Sequence, residues 1–366
     1  MHRRISIVAS FVLWIVLLCA PCSAENSGKV MTIGVIESLT GIAAPYGTNN
    51  LQAIQMAASE IDGKNGVTIK LIVEDDQTDP KKTVAAYRKL VNGGVDAIIG
   101  STWDFTSNAI TPLANRDKMV LINSVMPESL HSMTKDGYVF SNGRSAARAA
   151  IPFEKFARRE KIGSVAIAVV NNSWGAVQLK SYKKLFGSLG IKIVDSAESA
   201  NFDANEWNTV VTRFKAQTPD AVLLILNQND IDLFAHRAKT LNLTSQIFAV
   251  ETAAEALAAS TSPKVFENLC MSYPMNDMDR QRSFAGRFRE KYHTEPKSLS
   301  AAAFDTVGLL ANAFAKSEGD KVALHNALRL VDLDGVAGRQ RYNEDESFAV
   351  GEFSLTCVHN GKLHAE

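Results

Sequence analysis

The stretch Val95-Asp96-Ala97-Ile98-Ile99-Gly100-Ser101-Thr102-Trp103-Asp104-Phe105-Thr106-Ser107 decides the fold. Val95 to Ile99 is a short apolar run closed by Gly100, the form of a strand buried on both faces of a parallel sheet. Ser107 to Arg116 reads as a helix, and Met119 to Ile122 as a second buried strand. Between the first strand and the helix lies a polar and aromatic turn, Ser101 to Thr106. In open α/β sheets small ligands bind at such turns, outside the carboxyl ends of the strands. A site built on this turn needs a second wall opposite it.

The same rhythm extends in both directions. Met31 to Ile36 reads as a strand, Gly47 to Ile61 as a helix, and Val67 to Val73 as an alternating strand. Asp79-Pro80 predicts a helix start, with the carboxylate capping free amides and proline in the first turn. With Asp75 and Asp76 it forms an acidic turn that reads as capping rather than metal binding. Beyond Ser124 a second β-α series runs from a helix at Ser145 to Arg159 to a strand at Leu269 to Tyr273. Late helices follow (Asp277 to Tyr292, Ser298 to Lys316, Lys321 to Leu330). The segment Gly338 to Tyr342 and two strands near Phe348 to Val358 close the chain. Two successive series imply two α/β lobes with parallel central sheets and right-handed crossovers. A chain of 366 residues is also too long for one ordinary core.

Formal net charge is zero, from 39 basic and 39 acidic residues, with no basic stripe. That excludes nucleic acid as the main partner. His2, Arg3 and Arg4 precede an apolar run from Ile5 to Ala20, and Cys22-Ser23-Ala24 offers small residues for cleavage. Residues 1–24 therefore read as a secretory signal peptide cut near Ala24, with an uncleaved anchor as the competing reading. Pro21 before Cys22 and Leu18 before Cys19 fit lipid attachment poorly. Cys270 and Cys357 remain, each in a strand-like run. In an oxidising compartment they can form a disulfide, or they can stay two separate buried thiols. Neither has a second cysteine at zinc-ligand spacing.

No enzyme signature is present: no Gly-x-Gly-x-x-Gly, P-loop, Gly-x-Ser-x-Gly or His-Glu-x-x-His. The scattered histidines, His131, His236 and His293 among them, form no catalytic set. What recurs is a polar or aromatic cluster at strand ends, as a ligand cleft between two lobes requires. The clusters are Ser38 to Tyr46, Ser101 to Thr106, Ser124 to Met126, Asn171 to Trp174, Asn227 to Asn229, and Glu251.

These stretches together resemble the periplasmic substrate-binding proteins of the leucine/isoleucine/valine family, type I fold, which serve ABC importers. The resemblance is carried by Ile33-Gly34-Val35 with Leu39-Thr40-Gly41 through Gly47. Glu74-Asp75-Asp76 with Asp79-Pro80, Ile98-Ile99-Gly100 with Ala109 and Pro112, and Ala302-Ala303-Phe304-Asp305-Thr306-Val307 add to it. It implies two Rossmann-like lobes joined by a three-segment hinge: residues 25–145 with 274–328, and 146–273 with 329–366. It implies a monomeric, non-enzymatic protein of the periplasm, without cofactor or metal. Such a protein captures an amino acid, a related amine or an aromatic compound and passes it to an inner-membrane permease and ATPase. A ligand-sensing receptor on the same bilobal fold is the alternative.

The resemblance also implies ligand positions. Tyr46 ends the first loop. Asp104, between Trp103 and Phe105, stands where amino-acid binders carry a serine that holds the ligand carboxylate. An ionised carboxylate has no proton to donate to another, so the position departs from the pattern. Ser124 and Met126 supply contacts after the next strand, Trp174 comes from the second lobe, and Asn227, Gln228 and Asn229 follow a later strand. Glu251 matches the acid that pairs with a ligand ammonium.

Overall fold

Short apolar runs and amphipathic helices become two sheets, each sandwiched between helices, in the computed structural model of the chain. The structure describes residues 29–123, 137–143, 145–200, 202–274, 278–317, 320–343, 346–349 and 352–366. The expected signal peptide, Ser124 and Met126 lie outside these residues.

The strands are β1 (Lys29–Glu37), β2 (Val67–Asp75), β3 (Ala97–Gly100), β4 (Leu121–Asn123) and β5 (Val139–Ser141). Next come β6 (Ser164–Val170), β7 (Lys192–Ser199), β8 (Ala221–Ile225), β9 (Gln246–Ala249) and β10 (Cys270–Pro274). The last are β11 (Asp332–Gly335), β12 (Gly338–Asn343), β13 (Glu346–Ala349), β14 (Phe353–His359) and β15 (Lys362–Ala365). The helices are α1 (Ala44–Ile61), α2 (Pro80–Asn92), α3 (Asp104–Asp117), α4 (Ala146–Glu160), α5 (Ser173–Leu189) and α6 (Ala204–Gln217). They continue with α7 (Gln228–Thr240), α8 (Thr252–Ala259), α9 (Met278–Tyr292), α10 (Ser300–Ser317) and α11 (Lys321–Arg329).

The first sheet has the order β11-β12-β13-β5-β4-β3-β1-β2, and the second β15-β14-β10-β9-β8-β6-β7. Their centres are parallel, β1 pairing with β2 and β3 and β6 with β7 and β8. Alternation along each strand sends side chains to opposite faces. Ile33 and Val35 meet α1, α9, α10 and α11 on one face of the first sheet. Ile36 and Ile98 meet α2 and α3 on the other. The second sheet is filled likewise, by Trp207, Phe214 and Phe234 on one face and by Phe153, Tyr182 and Phe186 on the other.

The chain passes between the sheets three times, after β5, after β10 and after β13. That is the three-segment connection the resemblance implies. One assignment changes. The stretch 329–366 is expected whole in the second lobe, but β11–β13 join the first sheet and only β14 and β15 join the second. These strands follow one another without an intervening helix, so nothing in their spacing says which sheet takes them.

Cys270 and Cys357 sit directly opposite each other on antiparallel β10 and β14. They form a disulfide, with sulfurs 2.08 Å apart. Of the two readings left open by the sequence, the structure has the bridge. Among the described residues no helix is long and apolar enough to cross a membrane.

Candidate functional site

The turn after β3 exists because of a glycine. Gly100 has φ +131°, and a Cβ there would stand 2.0 Å from the Ile36 carbonyl oxygen. Only glycine allows the chain to leave β3 that close to β1. The turn is shorter than the sequence suggests, since α3 begins at Asp104 rather than Ser107.

Below the turn lies a buried polar floor. Asp76 is fully buried. It accepts hydrogen bonds from the hydroxyls of Ser38 (2.6 Å), Thr83 (3.2 Å) and Ser101. The Thr102 hydroxyl accepts the Ser38 amide at 3.0 Å and donates to Glu37. Glu37, at the end of β1, is fully buried too. Burial pushes its pKa up to about 8. Hydrogen bonds from Thr102 and Asn50 pull the other way, and the charge of Asp76 adds to the rise. Its Oε1 and the Asn50 Oδ1 have no partner among the described residues. A neutral, protonated Glu37 is therefore the form this site favours. Asp75 holds the first loop, accepting from the Leu39 amide at 2.9 Å and the Thr40 hydroxyl at 2.8 Å. Asp79 caps α2, as expected from Asp79-Pro80.

Each expected ligand residue other than Ser124 and Met126, which lie outside the described residues, has a definite place. Tyr46 lies in the first turn of α1, half-buried, with the Lys297 ammonium 5.2 Å from its ring centre. Burial and then the charge of Glu255 raise its phenol pKa. Tyr46 shares a cavity of about 360 Å³ with Phe202, Asn227, Gln228, Asn229, Asp230 and Leu233. Tyr46 belongs to the first lobe and the others to the second, so both lobes build this cavity.

Trp103 and Phe105 pack edge to face, centroids 5.8 Å apart, at the start of α3. Asp104 is buried and accepts the hydroxyl of Ser173, the first residue of α5 in the opposite lobe. Trp174 leans on the core of the second lobe beside Tyr182 and Phe186. Asn227 caps α7, accepting the Asp230 amide at 3.0 Å, and donates to Asp230 Oδ2 at 3.1 Å. Asp230 also accepts the Ser199 hydroxyl (3.1 Å) and the Trp207 indole (3.3 Å), and burial raises its pKa. Glu251 precedes α8, and its charge adds to the burial that raises the pKa of the fully buried Tyr182.

Thus the structure brings Tyr46 together with Asn227–Asn229, and Asp104 together with Ser173. It does not bring Glu251 to the cavity of Tyr46. Sequence reasoning missed Glu37, Phe202 and Asp230, and took Ser173 only as part of the cluster Asn171 to Trp174. Asp230 was findable as the acid three residues after a capping asparagine; Glu37 and Phe202 carry no local signal. A larger hollow of about 590 Å³ lies at the start of β9 and β10, lined by Arg159, Lys239, Cys270, Cys357 and His359. It is built by the second lobe alone, and Arg159 is already paired with Glu160 and Glu366. It is not the candidate site.

Comparison with known proteins gives a consistent result. The family described as periplasmic binding protein matches residues 30–362. The leucine-, isoleucine-, valine-, threonine- and alanine-binding protein of Pseudomonas aeruginosa is 21% identical over 94% of both chains. The branched-chain amino acid transporter substrate-binding protein of Streptococcus pneumoniae, solved with isoleucine, superposes with a TM-score of 0.76 at 21% identity. That match covers 92% of this chain and 98% of the other. A solute-binding protein of an ABC transporter from Rhodopseudomonas palustris, solved with 3,4-dihydroxybenzoic acid, gives 0.77 at 20% identity, covering 93% and 96%.

Proposed function

The chain belongs to the periplasmic binding protein family, and from that premise we propose that it captures a small molecule between its two lobes and delivers it to an ABC import permease. It is a solute-binding protein and not an enzyme, as that family is. The observation that carries the binding reading is the cavity with Tyr46 on one side and Phe202, Asn227–Asp230 and Leu233 on the other. A site walled by both lobes is filled only when they come together, so ligand favours the closed arrangement.

The ligand class is an amino acid, a related amine or an aromatic compound. Support comes from the relatives, one named for aliphatic amino acids and one solved with an aromatic acid. Tyr46, Gln228 and Asn229 are the proposed contacts in the shared cavity. Trp103, Phe105, Trp174 and Glu251 extend the site along the strand ends, and Ser124 and Met126 stay with the proposal on sequence grounds. The first lobe comprises 29–143 with 278–349 and the second 145–274 with 352–366. The protein acts as a monomer in the periplasm after cleavage near Ala24, with a permease and ATPase as partners.

Mass spectrometry of co-purifying compounds, with a thermal-shift screen of amino acids, amines and aromatic acids, tests the reading. A ligand bound only by the folded form raises the melting temperature. Tyr46→Ala should weaken the response about tenfold or more, the scale of losing one aromatic contact. A screen in which no compound shifts the melting temperature would sink it.

A further inference from the structure

The hollow at the start of β9 and β10, set aside as a ligand site, has chemistry of its own. Cys270 and Cys357 form part of its wall. Arg159 stands in the last turn of α4. Its Nη2 donates to both sulfurs, 3.4 Å from Cys270 Sγ and 3.6 Å from Cys357 Sγ. Two carboxylates hold the guanidinium in place: Glu160 faces Nε at 2.7 Å and Glu366 faces Nη1 at 2.9 Å. The third acid of the wall, Glu267, lies 3.9 Å from His359, which is also 3.3 Å from Glu366. Each acid in the wall thus has a basic partner, and the charged group that touches the disulfide is a cation. Lys239 adds a second cation to the wall.

A disulfide that only braces a fold needs no cation. A guanidinium at hydrogen-bond distance stabilises a thiolate, and a pair whose reduced form is stabilised is more easily reduced. We propose that Cys270–Cys357 is a thiol–disulfide exchange site, with Arg159 as the positioning residue that receives the leaving thiolate. The partner is a dithiol. Both cysteines are buried, so the hollow is the approach to them. One partner sulfur, as thiolate, attacks Cys270 or Cys357. The S–S bond breaks, a mixed disulfide forms, and the other cysteine leaves as a thiolate against Arg159. The partner's second sulfur then displaces the first cysteine. Two electrons pass to the protein and the dithiol departs as a disulfide. Its two protons go to solvent, which protonates any cysteine not held as thiolate. β10 ends at Pro274 and β14 begins at Phe353, opposite each other, and each meets one of the three crossovers between the sheets. Exchange therefore unties two crossovers at their root.

Equilibration of the folded full chain in buffers of reduced and oxidised dithiothreitol tests the site. Alkylation and peptide mass spectrometry report Cys270 and Cys357, and thermal melts confirm that each oxidised variant is folded. In the wild type both cysteines should be reduced without denaturant. Arg159→Gln should need a ratio of reduced to oxidised dithiothreitol about tenfold higher for half-reduction, the scale of one hydrogen bond to a charged group. Arg159→Lys, which keeps the charge, should recover most of that loss. After reduction, thiolate absorbance should appear at lower pH in the wild type and Arg159→Lys than in Arg159→Gln. A disulfide that resists dithiothreitol until denaturant is added overturns the exchange site. So does an Arg159→Gln variant with the wild-type equilibrium and thiolate titration. An Arg159→Lys variant that behaves as Arg159→Gln overturns the role of the charge. No cleft ligand enters this test, so its failure is distinct from a failure of the binding reading.

Discussion

On the first lobe, the turn after β3 rests on hydroxyls and two buried acids, and Glu37 Oε1 and Asn50 Oδ1 are left without partners among the described residues. On the second lobe, Asn227 and Asp230 satisfy each other, and Asp230 is also held by Ser199 and Trp207. One wall keeps polar capacity in reserve beneath a glycine-made turn; the other uses its polar groups to fix the start of a helix. Polar residues at a strand end thus have two fates. The type of residue does not distinguish them, but the hydrogen-bond count around it does.

The largest expected effect breaks the first wall. In Gly100→Ala the new Cβ meets the Ile36 carbonyl at 2.0 Å in a backbone region that disfavours side chains. The loss should be at least about 3 kcal/mol, read from chemical denaturation, with ligand response abolished.

Glu37→Gln tests the reserve. The unfolded carboxyl titrates near 4.5 and the folded one near 8. The native state binds the extra proton, so stability is full below the unfolded value and falls as pH rises from about 4.5 through about 8. The whole cost is on the order of 3–5 kcal/mol. Glu37→Gln should flatten that slope and be the more stable protein at pH 9. An unchanged slope would show that Glu37 is not the group responsible.

On the second wall, Asp230→Ala leaves the Trp207 indole N–H and the Ser199 hydroxyl proton without their acceptor, although Ser199 Oγ still accepts the Phe202 amide, and should cost about 2–3 kcal/mol. Urea midpoints with indole fluorescence would report it. The smallest effect is Asn227→Ala, with loss of one cap worth about 1 kcal/mol. If the asparagine is spent on capping, ligand affinity measured by calorimetry should scarcely change. A large loss of affinity would move Asn227 back among the ligand contacts.

Much of the fold was legible because its information is local. The run Val95 to Ile99 was legible as a buried strand, starting two residues ahead of the observed Ala97–Gly100, and the Asp79-Pro80 helix start reads the same in sequence and structure. β11–β13 were not legible as members of the first sheet. Their places come from pairings far apart in the chain, such as Phe348 beside Ser141. Within the site, Asp104 stood out as a chemical misfit, but its partner Ser173 did not. Only the placing of α3 opposite α5 joins them. Glu37 escaped notice because a lone acid at a strand end looks solvated until the packing of Asn50 and Thr102 above it is known.

The disulfide has a topological consequence. Cys270 and Cys357 are 87 positions apart, and between them lie α9 to α11 and β11 to β13. The bond is in the second lobe, yet nearly everything it encircles belongs to the first. The late half of the first lobe is therefore a ring tied at its base to its neighbour. Should those helices melt, the melt is confined to a closed loop and cannot peel β14 from β10. A protease cut within that loop would yield two pieces that still migrate as one under non-reducing conditions.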